Sequence, residues 1–244
     1  MRDQEMDRLM KIIAHRGASL ARQENSLSSL AYAASLGADA VECDVRITRD
    51  NVPVIQHDPD IRRLTGQPGQ IAEMSCANLA DRLRAAGHTL LTLDELLTAE
   101  SVRADLLLHL KITPLPDFLL ERLRAAAGRL ICGIQTLADL DQVRSFVPGD
   151  RILAFTGHWD EIPAYIAGGA GIIRLWENWL DEIQPDTVRA MAPVSVWIMS
   201  NRNGTMNGSP ESLQRFVELG ADGVLLNDIE MALEWRQKRK EKTN

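Results

Sequence analysis

The feature that most constrains this chain is an alternation: short β-branched or leucine-rich runs are each followed by an amphipathic stretch. This is the sequence sign of parallel strands joined by helices. Nine runs qualify as strands, over residues 11–14, 40–46, 52–56, 105–111, 129–134, 151–155, 171–175, 194–199 and 223–226. Helices are predicted over 26–36, 93–99, 116–127, 137–146, 185–191, 210–219 and 229–240. Proline opens several of these, and Gly37, Gly128 and Gly220 fall just past helix ends, where a left-handed cap is needed.

A chain of 244 residues alternating in this way fits one α/β domain over residues 1–244, a (β/α)8 TIM barrel. Such a barrel closes with eight strands, so one of the nine runs is expected to be extra or irregular. Between Asp58 and Thr89 the alternation breaks into polar, glycine-bearing sequence, read as a small insertion after the third strand, about residues 59–89. A loop there could touch the leaving part of a substrate or be a surface excursion. Gly37-Ala38-Asp39-Ala40-Val41 recurs as Gly220-Ala221-Asp222-Gly223-Val224, each at a helix-to-strand junction. The recurrence supports a repeated αβ unit, or one good loop used twice.

The formal charge of -7 argues against a broad nucleic-acid footprint, which draws its affinity from a basic face. A small anion remains possible, held by a few local cations or a metal. Cys43, Cys76 and Cys132 are odd in number and contain no Cys-x-x-Cys pair, so reduced thiols are expected. Residues 1–11 are broken by Arg2, Asp3, Glu5, Asp7 and Arg8, unlike a signal peptide. No later run reaches the roughly 20 apolar residues of a membrane helix. A cytoplasmic protein without membrane insertion is expected. The basic tail Arg236, Lys238, Arg239, Lys240 and Lys242 reads as the solvated end of the last helix.

Chemistry-bearing residues gather where strands end. His15-Arg16-Gly17 follows the first strand, and alone it would be read as a histidine bonding backbone with an arginine in a surface pair. Glu42 and Asp44 lie two apart on a predicted strand, so they share one face while Val41, Cys43 and Val45 take the other. Two inward carboxylates demand positive charge between them. A hard divalent cation meets that demand, and so would an ion cluster with Arg16, Arg46 or Lys111. His57-Asp58 ends the third strand. On the next strand Asp105, Leu107, His109 and Lys111 share one face, so Lys111 points inward toward the carboxylates or a phosphate. Two histidines, two acids and an arginine at one rim supply what phosphoryl chemistry needs: a base, an acid, and positive charge on the non-bridging oxygens.

The ordered set His15-Arg16-Gly17, Glu24-Asn25-Ser26, Gly37-Ala38-Asp39, Glu42-x-Asp44-Val45, Thr48-Arg49-Asp50, His57-Asp58, Leu64-Thr65, Leu91-Thr92-Leu93-Asp94-Glu95, Lys111, Trp197 and Asp222-Gly223 resembles the glycerophosphodiester phosphodiesterase family. The likeness is dense from about residue 12 to 97 and sparse afterwards. It implies that His15 and His57 are the general acid and base. Glu42 and Asp44 would bind calcium or magnesium, and Arg16, Asn25, Lys111 and Trp197 would contact phosphate or substrate. It also implies attack by a hydroxyl of the substrate itself, giving a cyclic phosphate that water then opens.

The main departure is His109, which stands where the family usually places a glutamate as third metal ligand. A nitrogen donor there makes manganese, cobalt or zinc more competitive. Trp197 is either an apolar wall for the glycerol or sugar part, or a core tryptophan. Trp176-Glu177-Asn178-Trp179 reads as a sugar-contacting lip or an interface patch. The leading expectation is hydrolysis of glycerophosphodiesters to glycerol 3-phosphate and an alcohol. A sugar-containing phosphodiester is a narrower alternative. A non-catalytic phosphate-binding barrel with a degraded metal site is another, and a lipid-cleaving phospholipase-type barrel is disfavoured for want of an apolar membrane-binding face. The sequence leaves the oligomeric state open.

Overall fold

The computed structural model describes residues 9–183 and 185–243, so most of the segment expected to lack signal-peptide character lies outside the described residues. The strands are β1 (Lys11–Ala14), β2 (Ala40–Ile47), β3 (Pro53–Ile55), β4 (Asp105–Leu110), β5 (Leu130–Ile134), β6 (Ile152–Ala154), β7 (Ile172–Trp176), β8 (Ser195–Met199) and β9 (Gly223–Leu226). All except β3 pair in parallel in the order β1-β9-β8-β7-β6-β5-β4-β2, and β1 pairs with β2 to close the ring. The fold is therefore a closed eight-stranded parallel barrel with helices around it.

The ninth strand is the third in sequence. β3 runs antiparallel to the end of β2, with Val45 opposite Ile55 and Ile47 opposite Pro53, and stands outside the ring. The turn between them is too short for anything else. Thr48 and Val52 exchange backbone and side-chain hydrogen bonds across it, and Asn51 adopts φ of 60°. A parallel return needs a crossover of a dozen residues or more. His57 thus reaches the rim on a strand coming back toward the barrel, and not at the end of a stave.

Side chains alternate across the staves. Ile13, Leu107, Ile131, Leu153, Phe155, Ile172, Trp197, Met199 and Leu225 fill the interior, while Val41, Cys43, Leu106, Leu108 and Val224 pack outward against helices. The segment read as polar and irregular holds two helices, Arg62–Thr65 and Cys76–Ala85. Leu79 and Leu83 of the second bury against Val54, Ile61, Ile71 and Met74, a small core of its own. A further unforeseen helix, Ile162–Gly168, carries proline in its first turn and ends on Gly169 at φ of 100°.

Helix ends follow their sequence signals in part. Ser26, Ser75, Thr92 and Ser209 cap the amino termini of their helices, and Gly37 and Gly220 take the left-handed cap conformation. Gly128 does not; it lies inside a 3-10 turn. The repeated Gly-Ala-Asp phrase has one mechanical meaning in both places. Asp39 accepts from the Ile12 amide at 2.8 Å and Asp222 from the Val196 amide at 2.9 Å, each carboxylate capping a neighbouring strand. Arg236 folds back onto Asp39 and the Gly37 carbonyl, so this part of the basic tail is bound and not solvated. No helix among the described residues is long and apolar enough to cross a membrane.

Candidate active site

The carboxyl end of the barrel gathers His15, Arg16, Glu42, Asp44, His57, His109 and Lys111. Gly17 begins the arrangement. It sits at φ of 77°, and a Cβ there would fall 2.5 Å from the Ser29 hydroxyl and 2.6 Å from Ser29 backbone. The chain can therefore turn tightly against the helix Leu27–Leu36. That turn holds Arg16 at φ of 58°, a costly conformation for a side-chain-bearing residue. Its amide donates to Glu42 Oε2 at 2.9 Å, and its carbonyl accepts from the Asn25 amide and the Ser29 hydroxyl.

Glu42 and Asp44 project inward from β2, and both are buried. Asn25 grips Asp44 twice: its Nδ2 donates to Asp44 Oδ2 at 3.0 Å, and its Oδ1 accepts from the Asp44 amide. Asn25 is 1% exposed. Expected as a substrate contact, it is engaged here with the acid, which its two hydrogen bonds position. Arg16 Nε lies 3.5 Å from Asp44 Oδ2, and Lys111 Nζ lies 3.2 Å from Asp44 Oδ1.

His109 extends from β4, with Nδ1 3.3 Å from Asp44 Oδ1 and 3.9 Å from Glu42 Oε1. One atom from each of Glu42, Asp44 and His109 lies within 4.8 Å of the others. Glu42 Oε1 is buried without a hydrogen bond, and Asp44 Oδ1, although beside Lys111 and His109, makes none of good geometry. Buried polar atoms are nearly always satisfied, so the two oxygens and the adjacent imidazole fit a divalent cation. The charges agree. Burial, and then the charge of Asp44, push the Glu42 carboxyl well above its usual range. Burial works in the same direction on Asp44, yet His109 and Lys111 hold it well below. Two acids this close resist joint ionisation unless a cation lies between them.

The histidines differ in their surroundings. His15 is buried, with Nδ1 2.8 Å from Asn227 Oδ1. Asn227 Nδ2 donates to Asn207 Oδ1, which leaves Oδ1 to accept from His15. Nδ1 therefore carries the proton and Nε2 keeps its lone pair. Burial, then Arg16, lower the His15 pKa to about 4. His57 is half-buried, and its Nδ1 donates to Asp58 Oδ1 at 2.7 Å. Its pKa is also lowered, chiefly by burial, although Asp44 and Asp58 oppose the shift. Arg63, from the short helix Arg62–Thr65, bridges Asp58 and Glu24 at 2.5 Å each, and Glu24 in turn holds Arg16. Asn227, Glu24, Arg63 and Asp58 were not foreseen as site residues. Asp58 was legible beside His57; Asn227 is 212 positions from His15, and nothing in the local sequence pairs the two.

The other side of the rim departs from expectation. Trp197 is 1% exposed and sits inside the barrel at the end opposite His15. Its Nε1 donates to Ser195, Lys11 lies over its ring, and Gly223 leaves room for its indole. Met199 lies between it and the rim, so Trp197 is a core residue and not a substrate wall. Glu177, read as half of a sugar-contacting pair, is fully buried, accepting from Ser200, Ser212, the Asn201 amide and Arg202. The missed residue here is Arg174 on β7, 4% exposed. Its Nη2 donates to the Thr156 carbonyl at 2.8 Å, while Nε and Nη1 have no hydrogen-bond partner. Phe155, Trp176 and Trp179 box its guanidinium at 5.7, 4.1 and 5.5 Å from their ring centres. Phe155 also stacks on His109 at 3.8 Å, in space that Gly133 leaves clear.

The model of the Glycerophosphoryl diester phosphodiesterase family matches residues 15–162. A Mycobacterium tuberculosis protein named "Probable glycerophosphodiester phosphodiesterase 1" is 39% identical over 99 residues, 36% of this chain and 36% of its own length. Rattus norvegicus glycerophosphodiester phosphodiesterase 1 is 38% identical over 78 residues, 32% of this chain and 24% of its own length. The chain thus spans about a third or less of these relatives. Among solved structures, the glycerophosphodiester phosphodiesterase of Thermotoga maritima superposes with a TM-score of 0.77 at 19% identity, covering 92% of this chain and 97% of that one. An Oleispira antarctica phosphodiesterase, solved with its product sn-glycerol-3-phosphate, gives 0.71 at 21% identity, covering 94% and 97%.

Proposed function

Because the chain belongs to the glycerophosphoryl diester phosphodiesterase family, we propose that it is a metal-dependent phosphoric diester hydrolase, converting glycerophosphodiesters to glycerol 3-phosphate and an alcohol. The observation that carries the reading is the triad Glu42, Asp44 and His109, with two unsatisfied buried oxygens, set between two histidines in unlike surroundings. That the Oleispira relative was solved with sn-glycerol-3-phosphate supports glycerol 3-phosphate as product here too. The sugar-diester alternative loses its main motive, because Glu177 is committed to internal donors.

Glu42, Asp44 and His109 hold the cation in this scheme, and it supplies positive charge to the phosphate oxygens. Arg16 and Lys111, at the edge of the acid pair, add fixed donors for the same group. His15 is the first base. Its Nε2 lone pair is free and its lowered pKa keeps it neutral at pH 7, so it accepts the proton of the substrate hydroxyl next to the phosphodiester. His57, its Nδ1–H held by Asp58, is placed to give a proton to the departing alcohol, with Asp58 favouring the imidazolium against the opposing effect of burial. The hydroxyl oxygen bonds to phosphorus as the alcohol leaves, giving a cyclic phosphate, and water reopens it with the histidine roles exchanged. An intramolecular attack of this kind gains about 7 to 11 kcal/mol when well oriented.

The imidazole of His109 favours manganese, cobalt or zinc over magnesium or calcium. The free thiols Cys43, Cys76 and Cys132 suit a reducing cytoplasm, and the charge of -7 suits a small substrate over nucleic acid. Phosphorus NMR with glycerophosphocholine, in chelator and then in each metal, tests the function. Metal-dependent appearance of a phosphomonoester is expected, and silence in every metal would point instead to a binding barrel. His109→Glu should shift the preference back toward magnesium, read by calorimetric titration with each ion.

A further inference from the structure

Among the described residues, Arg174 is the one buried cation at the rim that the mechanism leaves unused. Nearer the acid pair, Arg16 meets Glu24 and Asp44, Lys111 meets Asp44, and Arg63 meets Glu24 and Asp58, while Arg46, more exposed than Arg174, donates its Nε to the His57 carbonyl. Arg174 has a single backbone carbonyl and three aromatic faces. Aromatic faces attract a guanidinium, but they cannot accept its in-plane N–H groups, and Nε and Nη1 are left without acceptors. Leaving them so is costly in a buried place. The cost is removed when a ligand brings two oxygens in one plane. The guanidinium fork matches a carboxylate or a phosphate for that purpose, and a cationic ligand would be repelled.

The position says which part of a substrate would arrive there. Phe155 touches both sides, stacked 3.8 Å from His109 of the proposed metal triad and 5.7 Å from the Arg174 guanidinium. It stands across the rim from Arg16 and His15, where the phosphate and its glycerol would be held. Trp176, only partly buried and stacked 4.1 Å over the guanidinium, is the cover that must turn aside. We propose that Arg174 is a specificity-determining residue that binds an anionic group, a carboxylate or a phosphate, on the alcohol half of the phosphodiester. The proposal rests on the diesterase reading and adds the chemical class of the leaving alcohol.

The test uses the full chain, loaded with whichever metal supports turnover, and three glycerol phosphodiesters. Their alcohols are 3-hydroxypropanoate, glycerol 3-phosphate and glycerol, which place a carboxylate, a phosphate or no charge at the far end. The expected result is kcat/KM at least about tenfold higher for one of the anionic alcohols than for the neutral one, and the two charged arms tell which anion is read. Arg174→Lys should remove most of that preference through KM while leaving the neutral substrate within about twofold. In the unsubstituted protein, free malonate should compete with the diester of 3-hydroxypropanoate more strongly than with the neutral diester if the carboxylate arm is the preferred one, a readout independent of whether any variant folds. Turnover of all three diesters without an anion preference overturns this proposal alone. An equal loss on all three substrates in Arg174→Lys also overturns it, since a purely structural role predicts that pattern. Failure to cleave any of the three overturns the diesterase reading and this proposal with it.

Discussion

The two halves of the barrel rim hold charge in opposite ways. On the side of β1, β2 and β4, acids and cations interlock: Arg16, Lys111 and Arg63 each lie against carboxylates, and Asp44 alone is within 3.5 Å of Arg16, Lys111, His109 and Asn25. On the side of β6 and β7, one guanidinium sits among Phe155, Trp176 and Trp179 with no acid beside it. Three cation–aromatic contacts contribute roughly 0.5 to 2 kcal/mol each, against several kcal/mol for taking a charge out of water. Under the proposed function, the first half handles the group common to all substrates, the phosphate. The second suits whatever varies from one substrate to another. The family match covers residues 15–162, so β6 and Phe155 lie within it and Arg174 lies beyond its end.

The sharpest way to break this division is to remove an acid–base group from the interlocked side. His15→Ala and His57→Ala should each lower turnover by about 10³-fold or more, in line with general acid–base contributions. Phosphomonoester release and thermal unfolding should be measured together, because the division holds only if activity falls while the fold persists. Substantial turnover in either variant means that the histidines are not the acid and base.

The next largest effect is on stability, through pH. His15 has a folded pKa of about 4 against 6.5 when unfolded, because it is buried as the neutral form. Its contribution is therefore complete above pH 6.5 and is lost as pH falls toward 4, where the unfolded chain takes up a proton that the folded one refuses. A shift of this size is worth about 3 kcal/mol. Unfolding midpoints in urea between pH 7 and 4 should fall for the parent chain and fall less for His15→Gln. Parallel curves would mean that another group dominates the acid limb.

On the aromatic side the comparable substitution is structural. Glu177→Gln replaces an acceptor-only group by one that turns two N–H donors toward Ser200, Ser212 and Arg202. Burial alone would raise the Glu177 pKa, but those donors hold it below its usual value. A loss of about 2 kcal/mol in stability is expected from donors left unpaired, with turnover at saturating substrate little changed. If turnover collapses instead, the β7 to β8 loops take part in the chemistry and the division is wrong.

The same division governs what could be read without a structure. The acid pair lies on one strand with a period of two, so Glu42 and Asp44 could be placed on one face from spacing alone. The ninth strand was legible in principle: five residues between β2 and β3 cannot carry a parallel crossover, and loop length would have excluded β3 from the ring. Trp197 could not be placed, because an inward position on a stave does not say at which end of the barrel the side chain lies. The hold of Asn25 on Asp44 was hidden for a related reason, since a polar residue beside a site serves an acid as readily as a substrate. The helix Cys76–Ala85 was hidden by the polar composition around it, although Leu79 and Leu83 keep helical spacing. Arg174 was hidden because an arginine within an apolar strand looks like a surface residue until its neighbours are known.

The smallest effect should come from the outermost link on the interlocked side. Arg63 reaches both Glu24 and Asp58, but its side chain is about half exposed, where ion pairs are worth roughly 0 to 1 kcal/mol. Arg63→Ala should therefore leave the unfolding midpoint almost unchanged. Its effect belongs to orientation: Glu24 steadies Arg16, and Asp58 steadies His57, so loosening both should raise KM and lower kcat by less than about tenfold. Salt provides the control. Raising ionic strength screens the exposed pairs of Arg63 while sparing the buried pairs of Asp44, so the parent chain in high salt should move toward the variant in low salt. If the variant instead loses activity as deeply as His57→Ala, the segment carrying Arg63 is part of the catalytic apparatus and not a brace for it.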